Sequence, residues 1–152
     1  MSPRLIWFFN TLVRVCVAED DGKDGLSVLE HRAPFGDSPP LHIHHTEDEI
    51  FRILEGEFRF QMGDTIQRFE PGAVCLAPKG IAHTYRIESS TGGRWETVTA
   101  HGDFERFIRA VGREAEGNEL PPPAAPPSPE ALEKIGAIAR TFGIDLVGGP
   151  LD

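Results

Sequence analysis

Between residue 5 and about residue 101, apolar and polar positions alternate in short runs separated by Gly, Pro or Asp. A period of two marks a half-buried strand. Residues 11–18 and 26–32 alternate well enough to pair, and the run Leu5-Ile6-Trp7-Phe8-Phe9 opens a strand pair ahead of them. After a break at Asp37-Ser38-Pro39-Pro40, residues 41–44 and 49–54 form the next expected pair. Glu55-Gly56 turns into 57–62, where Phe58, Phe60 and Met62 share one face. Further strands are expected at 65–69, 73–77, 81–87 and 94–101, each preceded by a turn signal such as Glu70-Pro71-Gly72 or Pro78-Lys79-Gly80. Many short strands at this spacing predict an all-β sandwich or barrel.

Beyond residue 101 the period becomes helical. Phe104, Phe107, Ile108 and Val111 recur on one helical face, with Asp103 placed as N-cap, so a short helix is expected over the barrel edge. Residues 120–129 read Leu-Pro-Pro-Pro-Ala-Ala-Pro-Pro-Ser-Pro, the composition of an extended polyproline II linker. A last helix follows, with Ser128 as cap, Pro129 in the first turn, and Gly143 at its end. Leu132, Ile135, Ala139 and Phe142 form its apolar stripe. The expected organisation is a barrel with its short helix over 5–112, a Pro-rich linker over 113–129, and a helix and tail over 130–152 packed on the barrel.

A chain of 152 residues can bury roughly 70% of its unfolded surface, enough for a core without staples. The formal net charge of −9 would repel a phosphate backbone and an anionic membrane surface, so no nucleic-acid or membrane partner is expected. The apolar run at 5–9 is too short to span a bilayer and lacks a signal-peptide layout. Cys16 and Cys75 fit neither a zinc spacing nor a disulfide scaffold; they read as small buried apolar residues in a cytoplasmic protein. On the 49–54 strand, Glu49, Phe51 and Ile53 share one face and Ile50, Arg52 and Leu54 the other. With both faces partly apolar, and with further aromatics in 5–17, a terminal segment or a second subunit is expected to cover the outer side, which makes a homodimer the expected assembly.

The candidate chemistry is concentrated in the histidines. His42 and His44 stand two apart on a strand, so both imidazoles point the same way, with Cα atoms about 6.8 Å apart. A carboxylate from the following turn would add oxygen to two nitrogens, a ligand mix suited to first-row metals. Glu47 and Asp48 compete with Glu49 for that place, and strand parity alone does not exclude Glu47. His45 points away from its neighbours and reads as a solvated rim residue, while His31 and His101 carry no spacing argument.

Gly36, five residues, His42, one residue, His44, four residues, Glu49, six residues, Gly56: this spacing resembles the first motif of the cupin family. Gly72, Pro78, Gly80 and His83 match the second, whose asparagine position is occupied here by Ile87. The resemblance covers roughly residues 26–101. It implies a double-stranded β-helix, or jelly-roll barrel, holding one divalent transition metal per chain on His42, His44, Glu49 and His83. The distance to Gly56 favours Glu49 as the carboxylate. The ligand set does not choose among Fe, Mn, Ni, Co, Cu and Zn. Pro39-Pro40-Leu41-His42-Ile43-His44, followed by Glu-Asp-Glu-Ile-Phe at 47–51, resembles the quercetin-dioxygenase-like branch of single-domain cupins.

That branch implies a metal-dependent oxygenase for a small apolar or aromatic molecule in the barrel interior. Phe51, Phe58, Phe60, Tyr85 and Ile87 would line its pocket, Glu49 could act as a base, and Tyr85 is the one further candidate for proton transfer. Two other classes are compatible with the same motifs: a non-catalytic metal or small-molecule binding or sensing protein, and a metal-assisted isomerase or decarboxylase.

Overall fold

In the computed structural model, which describes residues 2–152, the chain runs through ten strands, a helix, a strand, a second helix and a last strand. The first strands are β1 (Leu5–Phe8), β2 (Thr11–Val17), β3 (Ser27–Ala33), β4 (His42–His44) and β5 (Glu49–Glu55). Then come β6 (Phe58–Met62), β7 (Thr65–Phe69), β8 (Val74–Ala77), β9 (His83–Ile87) and β10 (Gly93–Thr99). Helix α1 (Asp103–Val111), strand β11 (Arg113–Glu114), helix α2 (Pro129–Thr141) and strand β12 (Ile144–Leu146) complete it.

Two antiparallel sheets face each other, ordered β11-β1-β2-β3-β10-β5-β8 and β12-β4-β9-β6-β7. This is the expected double-stranded β-helix with two helices added. Strands of the inner walls alternate cleanly: β3 and β5 bury every second residue, as a sheet with one packed face must. Tight turns return the chain to the sheets. At Gly56 the backbone is left-handed (φ +87°), and a Cβ there would lie 2.6 Å from the Gly92 carbonyl oxygen, so only glycine fits.

The expected pairing of 41–44 with 49–54 is not formed. β4 lies between β12 and β9 in one sheet, and β5 lies between β10 and β8 in the other. Residues 45–48 carry the chain across the barrel, so strands adjacent in sequence become opposite walls. The β2–β3 pair and the opening β1–β2 pair form as expected.

Much of the interior is aromatic. Phe51, Phe58, Phe60, Tyr85 and Trp95 form one buried cluster with Ile53 and Ile87. Tyr85 and Trp95 rings are 5.0 Å apart, and Phe58 and Trp95 5.3 Å, both edge-to-face, the arrangement favoured by ring quadrupoles. His31 is buried in the same wall; its ring stacks on Trp95 at 4.9 Å and its Nε2 lies 2.9 Å from Thr97 Oγ1. Burial holds its pKa down to about 3.

Several local expectations are corrected. The N-cap of α1 is Gly102, in a left-handed conformation, rather than Asp103. Asp103 opens the helix, accepting from Arg106 and from the Thr46 hydroxyl. Cys16 is exposed, because Val15 takes the inward position beside it, while Cys75 is half-buried. Trp7 is buried, its ring 4.5 Å from the Arg113 guanidinium and its Nε1 donating to Glu119 O; of the 5–9 aromatics, Phe9 is the exposed one. Arg113–Glu114 pairs with β1 at the start of the stretch read as linker. In α2 the Ser128 cap forms, accepting from Ala131 N at 3.1 Å. Leu132 lies outside its packed face, which buries Gly136 and Ala139.

Candidate metal centre

Period-two alternation puts His42 and His44 on the same face of β4, inside the barrel. β9 brings His83 opposite His42, and β5 brings Glu49 from the opposite wall. One nitrogen or oxygen from each of the four side chains falls within 4.8 Å of all the others. His44 Nε2 is 3.3 Å and His83 Nε2 is 3.2 Å from the same oxygen, Glu49 Oε2. His44, Glu49 and His83 are each no more than 2% exposed.

Backbone carbonyls orient the rings. His42 Nδ1 lies 2.8 Å from Pro40 O, and His83 Nδ1 lies 3.1 Å from Ile81 O. A carbonyl only accepts, so each Nδ1–H donates to it, and each ring turns its Nε2 inward. Burial, joined by the nearby His83, lowers the pKa of His42 to about 3. Burial also pushes His44 well below the usual histidine range, with His42 and His83 adding to it. Both nitrogens of His44 are buried without a hydrogen-bond partner. Inward Nε2 atoms, an unpartnered imidazole and a buried carboxylate meet at one point, where His83 Nε2 and Glu49 Oε2 lie within hydrogen-bond distance and the His44 nitrogens have no partner among the described residues. A cation between them satisfies all four, so the donor set fits a metal ion.

The 45–48 crossing is clamped on several sides. Glu47 accepts from His101 N at 2.9 Å and from Phe104 N at 2.7 Å. Burial raises its pKa while those two N–H groups oppose the rise. Asp48 accepts from Lys79 N at 2.9 Å. These bonds aim Glu47 and Asp48 at backbone and leave Glu49 alone among the histidines, an assignment strand parity had left open. His45 is exposed and paired with Asp145 at 2.8 Å. His31 lies in the aromatic wall and His101 is exposed.

Tyr85 follows His83 on the same face of β9, and burial raises its pKa well above 10. Phe51, between Glu49 and Ile53, reaches the His83 ring at 6.0 Å. Phe51, Phe58 and Ile87 are packed in the closed cluster, whereas Phe60 also borders a cleft of about 300 Å³ between the barrel edges β7 and β8. Met62, Phe69, Cys75 and Leu76 complete most of its lining.

Two neighbours of the site were not singled out in the sequence. Thr99, opposite Glu49 in the β10–β5 ladder, buries a hydroxyl with no partner. Its signal was the inward parity of Trp95, Thr97 and Thr99. Phe104 of α1 sets its ring edge-to-face against His44 at 5.3 Å; the helical stripe predicted its burial but not its target.

Comparison with known proteins agrees with this geometry. Over 111 residues, 72% of this chain, the sequence is 26% identical to quercetin 2,3-dioxygenase of Bacillus subtilis (strain 168), and the match spans 33% of that protein's length. A predicted oxalate decarboxylase from Thermotoga maritima superposes with a TM-score of 0.56 at 23% identity, covering 59% of this chain and 79% of that one. The polyketide cyclase RemF of Streptomyces resistomycificus gives 0.54 at 22% identity, covering 66% and 69%. At these identities the two structures share the fold. The family model described as "Cupin domain" matches residues 28–99, the stretch that supplies all four clustered side chains. Residues 28–99 of this chain thus carry a match to the cupin domain.

Proposed function

We propose that the chain is a metal-dependent oxygenase acting on a small apolar or aromatic molecule, with one divalent transition metal held by His42, His44, Glu49 and His83. The observation that carries the reading is the convergence of two imidazole Nε2 atoms on one buried Glu49 oxygen, at 3.2 and 3.3 Å. Similarity to a quercetin 2,3-dioxygenase supports the reaction class. A bound redox-active ion would supply the activation of dioxygen. The chain's own residues do the rest. Pro40 and Ile81 carbonyls fix two ring tautomers. The aromatic wall excludes water. Glu49 could accept a substrate proton, and Tyr85, kept protonated by burial, can donate a hydrogen bond. The β7–β8 cleft is lined by aromatic, aliphatic and uncharged polar side chains, Thr65 and Gln67 among them, which favours an uncharged entrant, and the net charge of −9 disfavours nucleic acid.

Elemental mass spectrometry of the purified protein tests the metal, and oxygen uptake with phenolic compounds tests the reaction. A near-stoichiometric redox metal and substrate-dependent uptake are expected. A redox-inactive metal retained without oxygen dependence would sink the oxygenase reading. One observation favours a second reading, a metal-holding binding protein without turnover: Phe51, Phe58 and Ile87 are close-packed rather than lining the cleft.

The same proposal includes a cytoplasmic homodimer. Two free cysteines, one of them exposed, suit a reducing compartment. On the outer face of the larger sheet, Leu76, Ile50, Val98, Val28 and Val17 stand opposite one another across five strands, Val17 after a register shift in β2. Beside that row run Arg52, Glu96, Glu30 and Arg14. A two-fold axis at β10 would set Arg52 of one copy against Glu30 of the other. Light scattering should give two chain masses, and Ile50→Asp one.

A further inference from the structure

The strand that carries His42 and His44 is only three residues long. Its edge toward the barrel meets β9 at a single register pair, His42 opposite His83, and Gly80 N donates to His44 O at 2.8 Å. Its other edge is paired along its whole length. Ile144, Asp145 and Leu146 of β12 stand opposite His44, Ile43 and His42.

This ladder continues past both ends of the strand. His45 N donates to Gly143 O at 2.8 Å, Val147 N to Leu41 O at 2.8 Å, and Leu41 N to Gly149 O at 3.1 Å. Antiparallel alternation then makes Ile43 and Asp145 exchange both N–H···O bonds between those flanking pairs. More of the ligand strand's backbone is therefore tied to residues 143–149 than to its barrel neighbour.

The partner segment is itself anchored. Ala139 and Ile144 bury against Phe107 of α1, with Ile135 and Phe142 packed around them. Gly143 is left-handed (φ +71°), and a Cβ there would lie 2.6 Å from Thr46 Cγ2. The end of α2 thus sits directly against the crossing from His44 to Glu49. Helix α1, helix α2 and β12 lie outside the stretch matched as a cupin domain.

We propose that residues 129–152 are a positioning element of the metal centre, in which β12 sets the backbone of His42 and His44 so that both rings reach Glu49 and His83. The inference rests on the metal-binding reading above and deepens it: without β12 the ligand strand has too few bonds to hold its register.

The test uses the full chain and Co²⁺ alone as probe, titrated against a chelating indicator. Asp145→Pro removes the ladder N–H; Asp145→Ala keeps it and removes only the carboxylate paired with His45. Arg113→Pro breaks a comparable edge ladder in β11, in the other sheet. Asp145→Pro is expected to weaken Co²⁺ binding by about 10–100-fold, the range for losing a group that orients a metal ligand. Asp145→Ala and Arg113→Pro should bind within about twofold of wild type, a margin of roughly 0.4 kcal/mol. Asp145→Pro that folds and binds as wild type does would overturn the proposal while leaving the metal site standing. Wild type that binds no Co²⁺ would instead overturn the metal reading, and this inference with it.

A measurement on the unmodified chain covers the case in which Asp145→Pro does not fold. Coupling is reciprocal, so Co²⁺ must slow hydrogen exchange at the Asp145 and Val147 amides more than at those of β11. Equal slowing, or none, would overturn the proposal.

Discussion

The two ends of the barrel interior use burial in opposite ways. At one end Phe51, Phe58, Phe60, Tyr85 and Trp95 interlock edge to face with Ile53 and Ile87. At the other, His42, His44, Glu49 and His83 converge, with both nitrogens of His44 and the Thr99 hydroxyl lacking partners. The first end is satisfied by itself and holds the fold together. Groups at the second end, the His44 nitrogens above all, are desolvated with incomplete compensation until a cation joins them. The barrel tolerates this because the aromatic end supplies the stability that the histidine end withholds.

Breaking the aromatic end should have the largest effect. Trp95→Ala is expected to lose about 3–5 kcal/mol in denaturant unfolding, from lost burial and an unfilled cavity. Co²⁺ binding by the fraction that remains folded should be little changed.

Next comes the metal itself. A free concentration 100 times the dissociation constant should stabilise wild type by about 2.7 kcal/mol in calorimetry. His44→Leu should abolish that increment. Without metal the same variant should stay within about 1 kcal/mol of wild type, because it replaces two unpartnered buried nitrogens by an apolar group of similar volume. A large loss of metal-free stability in His44→Leu would end the contrast between the two ends.

Acid should expose a further difference. His31 titrates near 6.5 when unfolded and near 3 when folded, so the unfolded chain takes up the proton first. Its contribution is fully present above about pH 6.5 and is lost as pH falls toward 3. Metal-free His42 adds a loss of the same sign. Chemical denaturation across this window should show stability falling with pH, and a flatter curve for His31→Gln. The smallest effect is expected far from both ends: Ser128→Ala, which removes the α2 cap, should cost about 1 kcal/mol.

Much of this was legible in the sequence because it depends on local rules. Alternation located the strands and the inward faces, so His42 and His44 could be read as a pair. Motif spacing selected Glu49 over Glu47 and Asp48, and the tertiary structure supplies the physical reason: Glu47 and Asp48 accept N–H groups from residues 54 or more and 31 positions away. Burial of Cys16 was misread for a related reason. It depends on which outer face the remaining chain covers, and alternation does not carry that information.

By itself, then, the sequence determined the strands and the all-β class through short-range periodicity, while the four candidate ligands came from the resemblance of its motif spacing to the cupin family. Only the tertiary structure decided the pairing. It placed β4 and β5 on opposite walls, so that ligands nearby in the chain face each other across the core. It also brought Ile144–Leu146 against His42–His44, a hundred or more residues away. Partner choice between strands is set by long-range burial and by which backbone edges remain unpaired, and neither is written in the local pattern.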